Sequence, residues 1–171
     1  MLGNTMIAAP FLVSALVLPA LRLDVPHVAQ PENGCGPASI AMVLQYWSRH
    51  AAVSAPPLAL IHREVYSDRL KGALASRMRA FFEEHGFHAF AFEGRQQDLE
   101  ENLRKGRPII VALKTGGARL HVCVLTGLDP ERVYLNDPAF GKDHPLDRSR
   151  FEKQWAAAGR WMLVAAPRSA P

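Results

Sequence analysis

Apolar positions recur with two different periods along the chain. Over Pro37–Trp47, the residues Ile40, Val43, Leu44 and Trp47 fall at i, i+3, i+4 and i+7, the spacing of one face of a helix. Leu58–Tyr66 and Leu70–His85 read as two further helices, the second ended by Gly86 as a left-handed cap. Gln96–Lys105 reads as a charged helix closed by Gly106 and Pro108, and Phe87–Phe92 alternates as a strand does. From residue 109 the character changes. Ile109–Leu113, His121–Leu128 and Arg132–Leu135 are β-rich runs separated by Thr-Gly-Gly and Asp-Pro-Glu turns. Ser149-Arg-Phe-Glu152 has the capping-box spacing and predicts a helix through Ala158, and Arg160–Ala165 predicts a last strand. Helices first and an antiparallel sheet afterwards is an α+β pattern rather than βαβ winding.

The segment Met6–Leu21 stands apart, being free of charge and interrupted by Pro10 and Pro19. It is short for a membrane span, which needs about 20 apolar residues, and its length suits the core of a secretory signal. Ala20 is then a small residue at a plausible cleavage position, although no Lys or Arg precedes the segment. The expectation is a signal or anchor over residues 1–21, a catalytic domain over 22–171, and an exported or membrane-anchored product.

Composition narrows the class. With 171 residues, 49% hydrophobic and 21% charged, the chain has the size and apolar content of one folded domain. Two cysteines cannot build a disulfide scaffold or a four-cysteine zinc ribbon. The net charge of +4 comes from scattered basic residues without aromatic interleaving, which argues against nucleic acid.

Chemistry concentrates in Val25–Trp47. Cys35 lies between Gly34 and Gly36 where a turn becomes a helix, and Pro37 fits the first helical turn. A sulfur placed there meets the positive end of the helix dipole, which favours the nucleophilic thiolate. The bland reading is a buried apolar cysteine, which has no need of the flanking glycines. A thiolate also needs a proton acceptor and donor. Of seven histidines, His121 begins an apolar strand directly after a glycine-containing loop. Asn136-Asp137-Pro138 follows at the end of the next strand, and a hairpin turning at Asp129-Pro130 sets His121 opposite Asp137, able to orient the ring. Gln30 carries an amide that could join the Cys35 backbone N–H in stabilising an oxyanion. Cys123 reads as packing, and His85 and His88 lack the companions of a metal site.

The order Gln30, Cys35, His121, Asp137 resembles that of papain-like cysteine peptidases. More closely, the chain is similar to the bacteriocin-processing, double-glycine-leader peptidases (cysteine peptidase family thirty-nine) and their free-standing relatives. VPHVAQPENGCGPASIAMVLQYW, GRPIIVAL, HVCVLTGLDPERVYLNDP and FEKQWAAAGRWMLVA carry that resemblance. It implies a papain-like α+β fold with the nucleophile at the start of the central helix. Cys35 would be the nucleophile, His121 the general base and acid, Asp137 the orienting residue, and Gln30 a support of the oxyanion hole. It further implies a peptide or protein substrate; a monomer with neither cofactor nor metal is the expectation. Gly34 departs from the pattern, since transporter-linked members usually have an acidic residue there. Two other uses of the same residues stay open: acyl transfer of the transglutaminase type, and a non-catalytic peptide-binding module.

Overall fold

The computed structural model describes residues 20–168. The signal-like reading of Met6–Leu21 therefore lies outside the described residues except at its last two positions. Among the described residues no helix is long and apolar enough to cross a membrane.

In chain order the elements are β1 (Leu21–Arg22), α1 (Cys35–His50), α2 (Leu58–Val65), β2 (Tyr66–Ser67), β3 (Gly72–Ala73) and α3 (Ala75–Glu84). They continue with β4 (Phe87–Glu93), α4 (Gln96–Arg104), β5 (Ile109–Leu113), β6 (His121–Leu128), β7 (Arg132–Asp137), β8 (Gly141–Asp147), α5 (Arg148–Ala156) and β9 (Trp161–Pro167). The large sheet runs β4-β9-β5-β6-β7-β8, with β1 also on β6, and its pairings are antiparallel. The α+β layout expected from the sequence is the one observed.

Helices cover both faces of this sheet. Ile40, Val43, Leu44 and Trp47 of α1 are buried with Phe81 and Phe82 of α3 against Ile110, Val124 and Leu163. On the other face Leu99 and Leu103 of α4 and Phe151 and Trp155 of α5 pack on Val111, Leu125 and Met162. Successive side chains of a strand point to opposite faces, so a strand covered on both faces is apolar throughout. That is why Ile109–Leu113 has no polar position.

Several local readings need correction. Leu70–Leu74 is not helical: after β2 the chain turns at Lys71 (φ 49°) and pairs back as β3, and α3 starts at Ala75. The apolar spacing of Leu70 and Leu74 mimics a helix, yet both are exposed and not core-facing. Gly86 does take a left-handed conformation after α3 (φ 87°). Ser149 caps nothing: α5 begins at Arg148, and Glu152 instead accepts from Arg160 Nε at 2.9 Å and Gln96 Nε2 at 2.6 Å. The start of α4 has the side-chain cap, with Asp98 accepting the Arg95 backbone N–H at 2.7 Å.

Candidate active site

Cys35 is the first residue of α1, and the loop before it is packed too tightly for larger neighbours. A Cβ on Gly34 would lie 2.7 Å from the Pro31 ring, and one on Gly36 the same distance from Ala73 Cβ. The two glycines thus let the loop fold onto Pro31 and the β2–β3 hairpin dock beside the thiol, beyond merely leaving the sulfur unobstructed. Cys35 is only partly buried and opens into a cleft of about 610 Å³ that Gln30, His121 and Val122 also line.

His121 begins β6, and its Nε2 lies 2.8 Å from Asp137 Oδ2. The two residues are not opposite partners, as the simple hairpin register predicts. Near the turn Leu128 pairs with Val133 and Gly127 with Tyr134, but further on Leu125 pairs with Leu135 and Val124 with Asn136. Thr126 is therefore an extra residue on β6. One step beyond Val124–Asn136, Asp137 falls across from Cys123, on the same strand face as His121, and reaches the ring diagonally. Without the extra residue Asp137 would fall across from Val124, which packs in the α1 layer, and its carboxylate would face away from the imidazole.

The loop from Leu23 to Gly34 is laced to β6 and to the end of β7. Leu23 N donates to Thr126 O at 2.8 Å, and Gln30 N to Pro138 O at 3.0 Å. Asn136, fully buried, donates through Nδ2 to Val25 O at 2.8 Å and accepts through Oδ1 from Asp143 N at 3.0 Å. His27 Nε2 lies 2.9 Å from Asp137 O. Cys35 and Gln30 on one side, and His121 and Asp137 on the other, are thereby fixed to one another. Sequence reasoning passed over Asn136 and His27, because a buried asparagine and a loop histidine carry no spacing signal.

Electrostatics follow from this packing. Burial alone would disfavour a charged His121 ring, but hydrogen bonds and charge from Asp137 and Cys35 outweigh it and lift its pKa from 6.5 to about 9. Burial alone would raise the Cys35 thiol, but hydrogen bonds from His121 and the Val122 backbone bring it below its ordinary value. Asp137 is also lowered: burial opposes its charge, and His121 with the Ala139 and Phe140 N–H groups more than compensates. Ala139 N donates to Asp137 Oδ1 at 2.8 Å. Cys123 goes the other way, pushed well up by complete burial and by the charges of Asp137 and Cys35, so it stays a thiol. Gln30 Oε1 is buried without a hydrogen-bond partner among the described residues, in a side chain that lines the cleft. Among the described residues no three His, Cys, Asp or Glu side chains cluster as a metal site.

Residues 22–162 match the family described as "Peptidase_C39 like family". Transport/processing ATP-binding protein ComA of Streptococcus pneumoniae is 30% identical over 139 residues, covering 80% of this chain and 18% of ComA. The chain thus spans under a fifth of that relative's length. A double glycine motif protease from an AMS/PCAT transporter, solved in complex with the leader peptide, is 25% identical with a TM-score of 0.67, covering 85% of this chain and 94% of that one. A C39-like peptidase from Bacillus anthracis shares the fold at 20% identity and a TM-score of 0.70, covering 89% and 100%.

Proposed function

The chain belongs to the Peptidase_C39 like family and is a cysteine peptidase of papain-like fold, and from that premise we propose that Cys35, His121, Asp137 and Gln30 are the residues that carry the reaction. The observation that supports this most is the His121 ring, held by Asp137 at 2.8 Å and lining the same cleft as the Cys35 thiol.

In this reading the Cys35 thiolate attacks the scissile carbonyl carbon. The Cys35 backbone N–H and the Gln30 amide bind the developing oxyanion. As the C–N bond breaks, the His121 imidazolium gives its proton to the leaving amine, and a thioester remains on Cys35. His121, now neutral, takes a proton from water, whose oxygen attacks the thioester, and the thiolate departs with the acid product released. Asp137 touches no reacting atom; it orients the ring and stabilises its charged form. Residues 22–171 are the catalytic unit in this reading, which the family match over 22–162 supports.

The substrate is a peptide, and a leader peptide is the first one to try, because a relative 25% identical was solved with one. Incubation of such a peptide with wild-type protein gives two fragments with a free acid at the cut, and Cys35→Ala gives none. Full cleavage by Cys35→Ala would overturn the assignment. Added amine distinguishes transfer, since an acyl-amine product in place of free acid would reassign the reaction.

A further inference from the structure

The charge around Cys35 is one-sided. Among the described residues, the charged side chains lining the cleft apart from His121 are Lys71 and Arg119, and no Asp or Glu lines it. Asp137, the carboxylate behind His121, is buried and does not line the cleft, so a ligand beside the thiolate–imidazolium pair meets these two cations.

Arg119 sits two residues before His121, and its Nη1 donates to Asn33 Oδ1 at 2.7 Å. Asn33 stands two residues before Cys35 in a left-handed conformation (φ 56°). This bond pins the guanidinium across the approach to the sulfur, yet its acceptor is a neutral amide. Among the described residues Arg119 has no carboxylate within ion-pair distance. A guanidinium has five N–H donors in a fork matched to a carboxylate, and the amide uses one. On the other wall, Lys71 tips the turn between β2 and β3, whose Ala73 docks on Gly36. Its nearest carboxylate, Asp68, is 3.7 Å away with a side chain 93% exposed, and so is screened by water. The start of α1 adds a positive partial charge between these two side chains.

We propose that the cleft selects peptides bearing a carboxylate within about three residues of the scissile bond, with Arg119 as the specificity-determining residue and Lys71 as a second cation on the facing wall. The proposal rests on Cys35 being the nucleophile. An acidic side chain gains attraction from both walls, whereas a basic one meets like charge, so selection works by attraction and by repulsion.

The test uses one peptide in three forms, with Asp, Asn or Lys at a chosen position near the cut, and scans that position across three residues on each side. Two readouts are taken with the 171-residue chain: kcat/KM for cleavage, and protection of Cys35 from alkylation by iodoacetamide, which reports occupancy without requiring turnover. At one or more positions, Asp should exceed Asn by roughly two- to fivefold in protection, the scale of a partly exposed ion pair, and Lys should fall below Asn. Arg119→Gln should remove most of that preference, Arg119→Lys should retain it in part, and Lys71→Gln should reduce it. Arg119 is exposed, so these replacements leave the core untouched. Equal protection by all three forms at every position, or an Asp preference unchanged in both Arg119→Gln and Lys71→Gln, would overturn the proposal. Uniform cleavage of all forms would leave the peptidase assignment standing, and acid-selective protection without cleavage would do the reverse.

Discussion

In the proposed mechanism His121 is the residue whose two protonation states are used in turn. Its charged form is sustained to about pH 9 by Asp137 and Cys35, while the Cys35 thiol is lowered by the same pairing. The ring is therefore charged at neutral pH, and kcat/KM should be bell-shaped, rising as the lowered thiol ionises and falling near 9 where the ring loses its proton. In Asp137→Asn that limb should move to lower pH, because the charge that stabilises the imidazolium is gone. His121→Ala should lower kcat/KM by about 10²- to 10⁴-fold and move the Cys35 alkylation midpoint upward. An alkaline limb that stays put in Asp137→Asn would separate Asp137 from His121. Cys35 and His121 were legible in the sequence because each combines a chemically costly residue with an odd setting: glycines around a cysteine at a helix start, and a histidine opening an apolar strand. Asn136 and His27 were not, because their value lies in bonds to backbone carbonyls 110 or more residues away.

Strands β6 and β7 show how an element's register, rather than its composition, decides whether the site exists. Their runs were readable from β-branched and aliphatic residues, but the extra residue at Thr126 was not, since Leu-Thr-Gly-Leu reads as uninterrupted strand. The bulge coincides with the passage of β1 over β6, where Leu21 pairs with Leu128 and Arg22 with Gly127. A Cβ on Gly127 would lie 2.4 Å from Leu21 O and 2.6 Å from Arg22 Cδ, and the backbone oxygen cannot swing aside. Gly127→Ala should therefore push β1 off the sheet and cost about 1–3 kcal/mol, read as a lowered denaturation midpoint. Because β1 joins the end of β6 far from His121, kcat/KM well below the melting temperature should change little. A variant as stable as wild type would mean that β1 adds nothing to the sheet. Short elements were the ones periodicity could not resolve: β2 and β3 are two residues each, too few for any repeat, and the exposed Leu70 and Leu74 of the turn and the exit imitated a helix start.

At the scale of the whole molecule, the site draws on four parts of the fold: α1 supplies Cys35, β6 His121, β7 Asp137 and the first loop Gln30. Charge at the site should then contribute to holding the molecule together, and its sign can be worked out. A group whose pKa is raised on folding stabilises the folded state fully below its unfolded value, and the gain fades as pH rises through the folded one. For His121 that window is complete below about 6.5 and is lost through about 9. Asp137, lowered on folding, contributes above about 3.8 and loses its contribution as pH falls below that value. The lowered thiol of Cys35 works against the alkaline loss, so the clean comparison is made in Cys35→Ala, where Asp137 remains as the partner of the ring. Between pH 5.5 and pH 9.5, Cys35→Ala should lose more in melting temperature than Cys35→Ala/His121→Gln, because only the first has a folded-state imidazolium to discharge. As pH falls below 3.8 the order should change for a different reason, because protonation of Asp137 takes away the partner of the ring's charge. Identical pH slopes for the two proteins across the alkaline range would mean that the histidine–aspartate pair shapes the cleft without helping to close the fold.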